Sequence, residues 1–189
     1  YVEKNLAITS LDHLRRYPNL KTLNATGCQA LRDISAVRDL KKLETALFTD
    51  CMNLTDISPL RDCPQLVTLS LRQCIVIRDY SPLKSLSNLK TIDLYNNRSL
   101  TDLSGLENAK SLEKLDCDQC NNLGDISAVR QLSKLNYLGL SYVPCKDLAA
   151  LRSLTFLRIF FFPASVSTDD IRAVIKNNPN LKDIFIRGA

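Results

Sequence analysis

The stretch Leu43 to Cys63, LETALFTDCMNLTDISPLRDC, decides how the rest of the chain is read. With Leu43 as position 0, apolar or small residues fall at 0, 3, 5, 8, 11, 14, 17 and 20: Leu43, Ala46, Phe48, Cys51, Leu54, Ile57, Leu60 and Cys63. A shift of 23 residues reproduces the series at Leu66, Leu69, Leu71, Cys74, Ile77, Tyr80, Leu83 and Leu86. Further steps begin at Leu89, Leu112 and Leu135, and one step back lies Leu20. Neither the helical period of about 3.6 nor the strand period of 2 accommodates all eight positions. The two-residue step at positions 3 and 5 suits a short strand, and the later three-residue spacing suits a 3₁₀-like return, so each unit predicts one turn of a coil.

The opening L-x-x-L-x-L-x-x-C/N resembles the leucine-rich repeat family, whose repeats run to about 20 to 29 residues. The T-D-I-S-P-L return within Leu54 to Leu60 resembles the short repeats of internalins and of the phosphatase-regulator branch, and the cysteine at position 8 is similar to that of the longer F-box repeats. The resemblance runs from about Ile8 to Ile186. It implies an α/β solenoid: a right-handed coil of about eight repeats, a parallel sheet on the concave face, 3₁₀ turns or extended segments on the convex face, and one C-terminal helix. Because a repeat array is stabilised by neighbour contacts, residues 1–189 are expected to form a single domain. Beginning at Tyr1 inside a repeat, the chain is expected to be a piece of a longer protein.

No basic-then-apolar leader and no long apolar run occurs, which predicts neither a signal peptide nor a membrane span for this stretch. Cys28, Cys51, Cys74 and Cys120 stand at position 8, Cys117 at 5, Cys63 at 20, and Cys145 at 11 if the sixth coil lacks one residue before Asp147. All seven thus take inward slots, as small apolar residues do, and the odd count favours free thiols, hence a reducing, cytoplasmic compartment. A bridge between adjacent coils, such as Cys28 with Cys51, is the geometric alternative. The position 8 thiols are expected to donate to backbone carbonyls, as Asn97 does more strongly in the fourth coil. His13 is the single histidine, Cys117 and Cys120 lack further ligands, and the five glycines form no phosphate loop. No catalytic residue, metal site or cofactor is expected.

Coils run in register from Leu20, Leu43, Leu66, Leu89 and Leu112, preceded by a partial coil with Ile8, Leu11, Leu14 and Tyr17, whose far side is expected to lack a cap. Asp33, Asp56, Asp79, Asp102, Asp125 and Asp147 fill position 13, with Ser10 in that column first. Ser35, Ser58, Ser81, Ser104 and Ser127 follow at position 15; serine before Pro59 or Pro82 reads as the cap of a short turn, with the aspartate accepting backbone N–H groups there. A calcium file is the other reading of those carboxylates. The sixth coil is read as 22 residues, so that the seventh begins at Leu157 with Phe160 and Phe162 inside; a start at Leu154 would invert the run. Ser167 to Asp170 opens an amphipathic helix with Ile171, Val174 and Ile175, and Leu181, Ile184 and Ile186 predict a last strand.

Function is sought on the outward strand positions. The first coils carry a threonine column, Thr22, Thr45, Thr68 and Thr91, which β-propensity alone explains. From the third and fourth coils on, Arg72, Asp93, Tyr95, Asp116, Asp118, Tyr137, Tyr142 and Phe161 place aromatics beside fixed charge, the composition of a protein-binding site. This predicts a non-enzymatic module of an intracellular regulatory or scaffold protein whose partner presents a basic segment. A ubiquitin-ligase substrate receptor and an internalin-like surface adhesin are alternatives suggested by the resemblance. A further alternative is phosphate or nucleic-acid binding through the position 18 file Arg15, Arg38, Arg61, Lys84, Arg130 and Arg152, which Glu107 interrupts. With a net charge of only +5, nucleic acid is the less expected ligand.

Overall fold

A computed structural model describes residues 4–145, 148–163 and 166–186. Eight strands stand in sequence order in one parallel sheet: β1 (Thr22–Asn24), β2 (Thr45–Leu47), β3 (Thr68–Ser70), β4 (Thr91–Asp93), β5 (Lys114–Asp116), β6 (Tyr137–Gly139), β7 (Ile159–Phe161) and β8 (Asp183–Phe185). Six further segments between strands, and one before β1, form 3₁₀ turns, from Asp12–Arg16 to Ala149–Ser153, and helix α1 (Thr168–Asn177) precedes β8. The register confirms the repeat: Thr22, Thr45, Thr68, Thr91, Lys114 and Tyr137 pair in succession. Tyr137 then pairs with Ile159, so the sixth coil is one residue shorter, as expected. Asp147 lies outside the described residues.

Each strand is only three residues long, and its inward side chains continue into the turn. Ala46, Phe48 and Cys51 are fully buried, as are Leu69, Leu71 and Cys74, so one coil supplies a wedge of core that the next coil completes. Phe160 and Phe162 are likewise buried and Ile159 and Phe161 are not, which places the seventh coil's start at Leu157.

The chain leaves each of β1 to β6 through one left-handed residue at position 7. Gly27, Asp50, Gln73, Asn96, Gln119 and Tyr142 have φ between 54° and 75°, and Lys4 (53°) takes that place in the partial coil. Their N–H groups reach across to the next coil, as Asp50 N to Arg72 O at 2.8 Å and Asn96 N to Asp118 O at 2.8 Å. All seven cysteines are buried, and none forms a disulfide with another. The Sγ of Cys51, Cys74 and Cys120 donates to the carbonyl of Ala25, Phe48 and Leu94 at 3.3, 3.0 and 3.0 Å, and Asn97 donates to Leu71 O at 2.8 Å. Burial pushes the thiols of Cys51 and Cys63 up to about 12 and about 11.

The return turns correct one expectation. Serine does not cap them; Oδ1 of Asp33, Asp56, Asp79, Asp102 and Asp125 accepts the N–H of the serine two residues on, at 2.7 to 3.0 Å. Placement is the reason, since a side-chain oxygen two residues before an N–H closes an Asx-type turn onto it, the bond that the sequence expects of these aspartates. Ser10 does the same in the partial coil, accepting from Asp12 N at 3.1 Å. Serine bonds hold Asp33, Asp79 and Asp102 below the usual carboxylate range. No group of three or more acidic, histidine or cysteine side chains able to hold a metal occurs among the described residues.

One joint between coils leaves room only for glycine. Tyr80 takes the inward slot that Ile34, Ile57, Leu103 and Ile126 fill elsewhere, and its buried hydroxyl has no hydrogen-bond partner among the described residues. Its carbonyl oxygen lies 2.2 Å from where a Cβ of Gly105 would stand, so glycine replaces the Pro or Ala of other coils.

At the far end, helix α1 is fastened by a capping box between Ser167 and Asp170 and by buried Asn178, whose amide donates to Val174 O at 2.9 Å and accepts from Leu157 N at 3.1 Å. Val174 is buried, whereas Ile175, expected on the inner face, is 45% exposed. Position 175 follows Val174 by about 100° around the helix and so turns off its inner face.

Candidate partner-binding face

Outward side chains of neighbouring strands form rows, because parallel pairing holds equal positions about 4.8 Å apart. Position 4 reads Asn24, Leu47, Ser70, Asp93, Asp116, Gly139, Phe161 and Phe185. Asp93 and Asp116 are therefore directly opposed. Burial and the Asp116 charge raise the Asp93 carboxyl above its ordinary range, although the Tyr95 N–H, Arg72 and Lys114 pull it back.

These carboxylates also have a backbone task that the sequence reading did not identify. Position 4 acceptors receive the N–H of position 6: Asp93 from Tyr95 and Asp116 from Asp118, both at 3.0 Å, as Asn24 does from Thr26. The signal was present in the polar residues of this column in four coils, Asn24, Ser70, Asp93 and Asp116.

Gly139 opens a notch at the centre of the row. A Cβ there would lie 2.8 Å from Asp118 Oδ1 and 2.9 Å from Asp116 Oδ1, so both carboxylates lean across the missing side chain. Asp118 was expected to be an exposed strand residue; it is only 8% exposed, and its Oδ1 accepts from Ser141 N at 2.7 Å. Asp116 stays half-buried and reachable.

The aromatics divide into two groups. Tyr137 lies 5.6 Å from Phe161, which stacks on Phe185 at 4.3 Å, giving a stepped aromatic wall beside the notch. Burial first, then the charges of Asp116, Asp118 and Asp93 and the bond to Asp116, pushes the Tyr137 phenol well above its ordinary range. Tyr95 instead stacks under the Arg72 guanidinium at 3.6 Å, and Arg72 also stands 3.9 Å from Asp93. Lys114 places its ammonium 4.5 Å from the centre of the Tyr137 ring. Two aromatic faces are thus already occupied by cations of the protein itself. Tyr142 is 41% exposed on a left-handed backbone, a costly conformation for an aromatic residue.

The position 18 file is exposed along its length, but two of its cations are engaged: Arg15 with Asp12 and Asp39, and Lys84 with Glu107 at 3.4 Å.

The comparisons agree with this architecture. The family model "Leucine Rich repeats (2 copies)" matches residues 87–131. No curated protein matches the chain. Among solved structures, an internalin (inlF) from Listeria monocytogenes str. 4b F2365 is 27% identical with a TM-score of 0.81, over 97% of this chain and 55% of that one. An internalin C2 (inlC2) of the same strain is 23% identical with a TM-score of 0.83, over 97% of this chain and 78% of that one. This chain is a leucine-rich repeat solenoid. Within that class its short coils are internalin-like, and it spans about half the length of the first internalin. The fold is that of an interaction scaffold, and no helix among the described residues is long and apolar enough to cross a membrane.

Proposed function

We propose that this chain is a non-enzymatic recognition module that holds a partner protein on the outward face of β4 to β7, within a larger cytoplasmic regulatory or scaffold protein. The observation that carries the reading is the notch at Gly139, where Asp116 and Asp118 converge beside the Tyr137 and Phe161 wall. Charge fixed next to exposed aromatic area suits a Lys or Arg side chain of the partner. Seven buried thiols support the cytoplasmic assignment, since an oxidising compartment favours bridged cysteines.

Titration of the chain with short lysine-containing peptides, followed by amide NMR shifts, tests the site. Perturbation of Asp116, Tyr137 and Phe161 that Asp116→Asn weakens is the expected result; the asparagine keeps the acceptor for Asp118 N and removes only the charge. Unchanged binding by Asp116→Asn, with loss on reversal of Arg38, Arg61 and Arg130, would move the site to the basic file. The internalin likeness favours a second reading, a surface adhesin. Labelling of the protein on intact cells by a membrane-impermeant reagent would establish it in place of the cytoplasmic one.

A further inference from the structure

A second recess lies at the edge where the chain enters β5 to β7. It encloses about 360 Å³ and is lined by Glu113, Lys134, Asn136, Phe156 and Arg158. That volume is at the small end of the range, about 300 to 1,000 Å³, of ligand pockets.

Phe156 breaks the repeat here. The residue just before each coil's first leucine is Asn19, Lys42, Gln65, Asn88, Ser111, Lys134 and, in the last coil, Asn180, all polar, yet the seventh coil has Phe156. The ring is not core, for it is 60% exposed. Charge around it is one-sided. Glu113 is engaged by Lys90 at 3.6 Å, whereas Lys134 and Arg158 take part in no ion pair among the described residues. The recess therefore offers an aromatic floor, two available cations and the Asn136 amide.

We propose that this recess captures the C-terminal residue of a partner protein, its apolar side chain lying on Phe156 and its terminal carboxylate between Lys134 and Arg158. A chain terminus carries an apolar side chain and a carboxylate on one Cα, which matches a floor and rim this close together. An internal Asp or Glu offers the charge without the adjacent apolar group. Charge-assisted hydrogen bonds from guanidinium and ammonium to a carboxylate supply the orientation. The site shares no residue with the Gly139 notch, so it stands or falls independently of the binding proposed there.

The test titrates the whole ¹⁵N-labelled chain with acetyl-Gly-Gly-Leu as the free acid, with its C-terminal amide, with acetyl-Gly-Gly-Gly, and with adenosine monophosphate. Expected are shifts at the amides of Asn136, Phe156 and Arg158 for the leucine acid, with binding about tenfold weaker for its amide and for the glycine peptide. Phe156→Ser, which restores the column's polar character, weakens the leucine acid by about tenfold at an unchanged melting temperature. Lys134→Gln with Arg158→Gln abolishes the preference for acid over amide. Equal binding of acid and amide, full binding by Phe156→Ser, tighter binding of the nucleotide, or no shift at millimolar peptide would overturn the proposal.

Discussion

Coils one to three and coils four to seven are built on one plan, yet their outward faces behave differently. In the first half Thr22, Thr45 and Thr68 fill position 2 and the face is nearly free of charge. In the second, Asp93 and Asp116 oppose each other with Asp118 two residues on, Lys114 lies over Tyr137, and Arg72 reaches from the third coil over Tyr95. The inward residues hardly change, so the core does not require the difference. A repeat scaffold can concentrate unfavourable like charge in one region because neighbouring coils hold it there. The Asp93 carboxyl is raised first by burial and then by the Asp116 charge, so it records part of that cost, and Arg72 and Lys114 offset some of it.

The sharpest way to break the comparison is at the joint between the halves. Gly105→Ala brings a methyl within 2.2 Å of a backbone oxygen that cannot swing aside, and urea unfolding is expected to show a loss of about 3 kcal/mol or more. Gly139→Ala, deep in the acidic half, meets only side-chain carboxylates and costs less. Next comes Asp118→Ala, which leaves the Ser141 N–H buried without its acceptor and costs about 2 kcal/mol; Thr45→Ala in the other half costs about 0.5 kcal/mol. Equal losses at the two positions would erase the distinction between a structural and a bland outward face.

Binding comes third. Lys114→Met frees the Tyr137 ring and lowers the local positive charge, so a lysine peptide is expected to bind about three- to tenfold tighter by calorimetry. No gain would show that the notch does not compete for the same cation.

The smallest effects are those of pH. Asp33 is held low by the Ser35 N–H, so its contribution is present above the ordinary value of 3.8 and fades as pH falls through its lower folded value. Asp93 has the opposite sign, gaining stability as it binds a proton above 3.8. Carboxyl NMR titration should therefore find Asp33 below Asp93. On the alkaline side, the thiols of Cys51 and Cys63 are raised to about 12 and about 11 from 9.0, so stability is complete below 9.0 and declines as pH rises toward those values.

How much of this was legible depends on how far the relevant partner lies along the chain. The 23-residue period, the inward slots of Cys51 and Phe160, the shortened sixth coil and the last strand follow from spacing within one coil. So does the outward placement of the Asp116 and Phe161 row, because alternation along a strand is local. The left-handed column is not legible because its six residues, from Gly27 to Tyr142, are of five side-chain types. Serine before proline is a strong local signal for a cap, yet of the two bonds expected at these turns only the one accepted by Asp33 and its equivalents forms.

By itself the sequence determined a coil, its register and which residues face in. Tertiary structure alone decided that Asp118 is bound to Ser141, that Lys114 covers Tyr137, that Gly139 makes a notch, and that Phe156 floors a recess. The physical reason is that each coil bonds to the coil 22 to 24 residues on, so an outward side chain's partner is set by the stacking rather than by its neighbours in sequence.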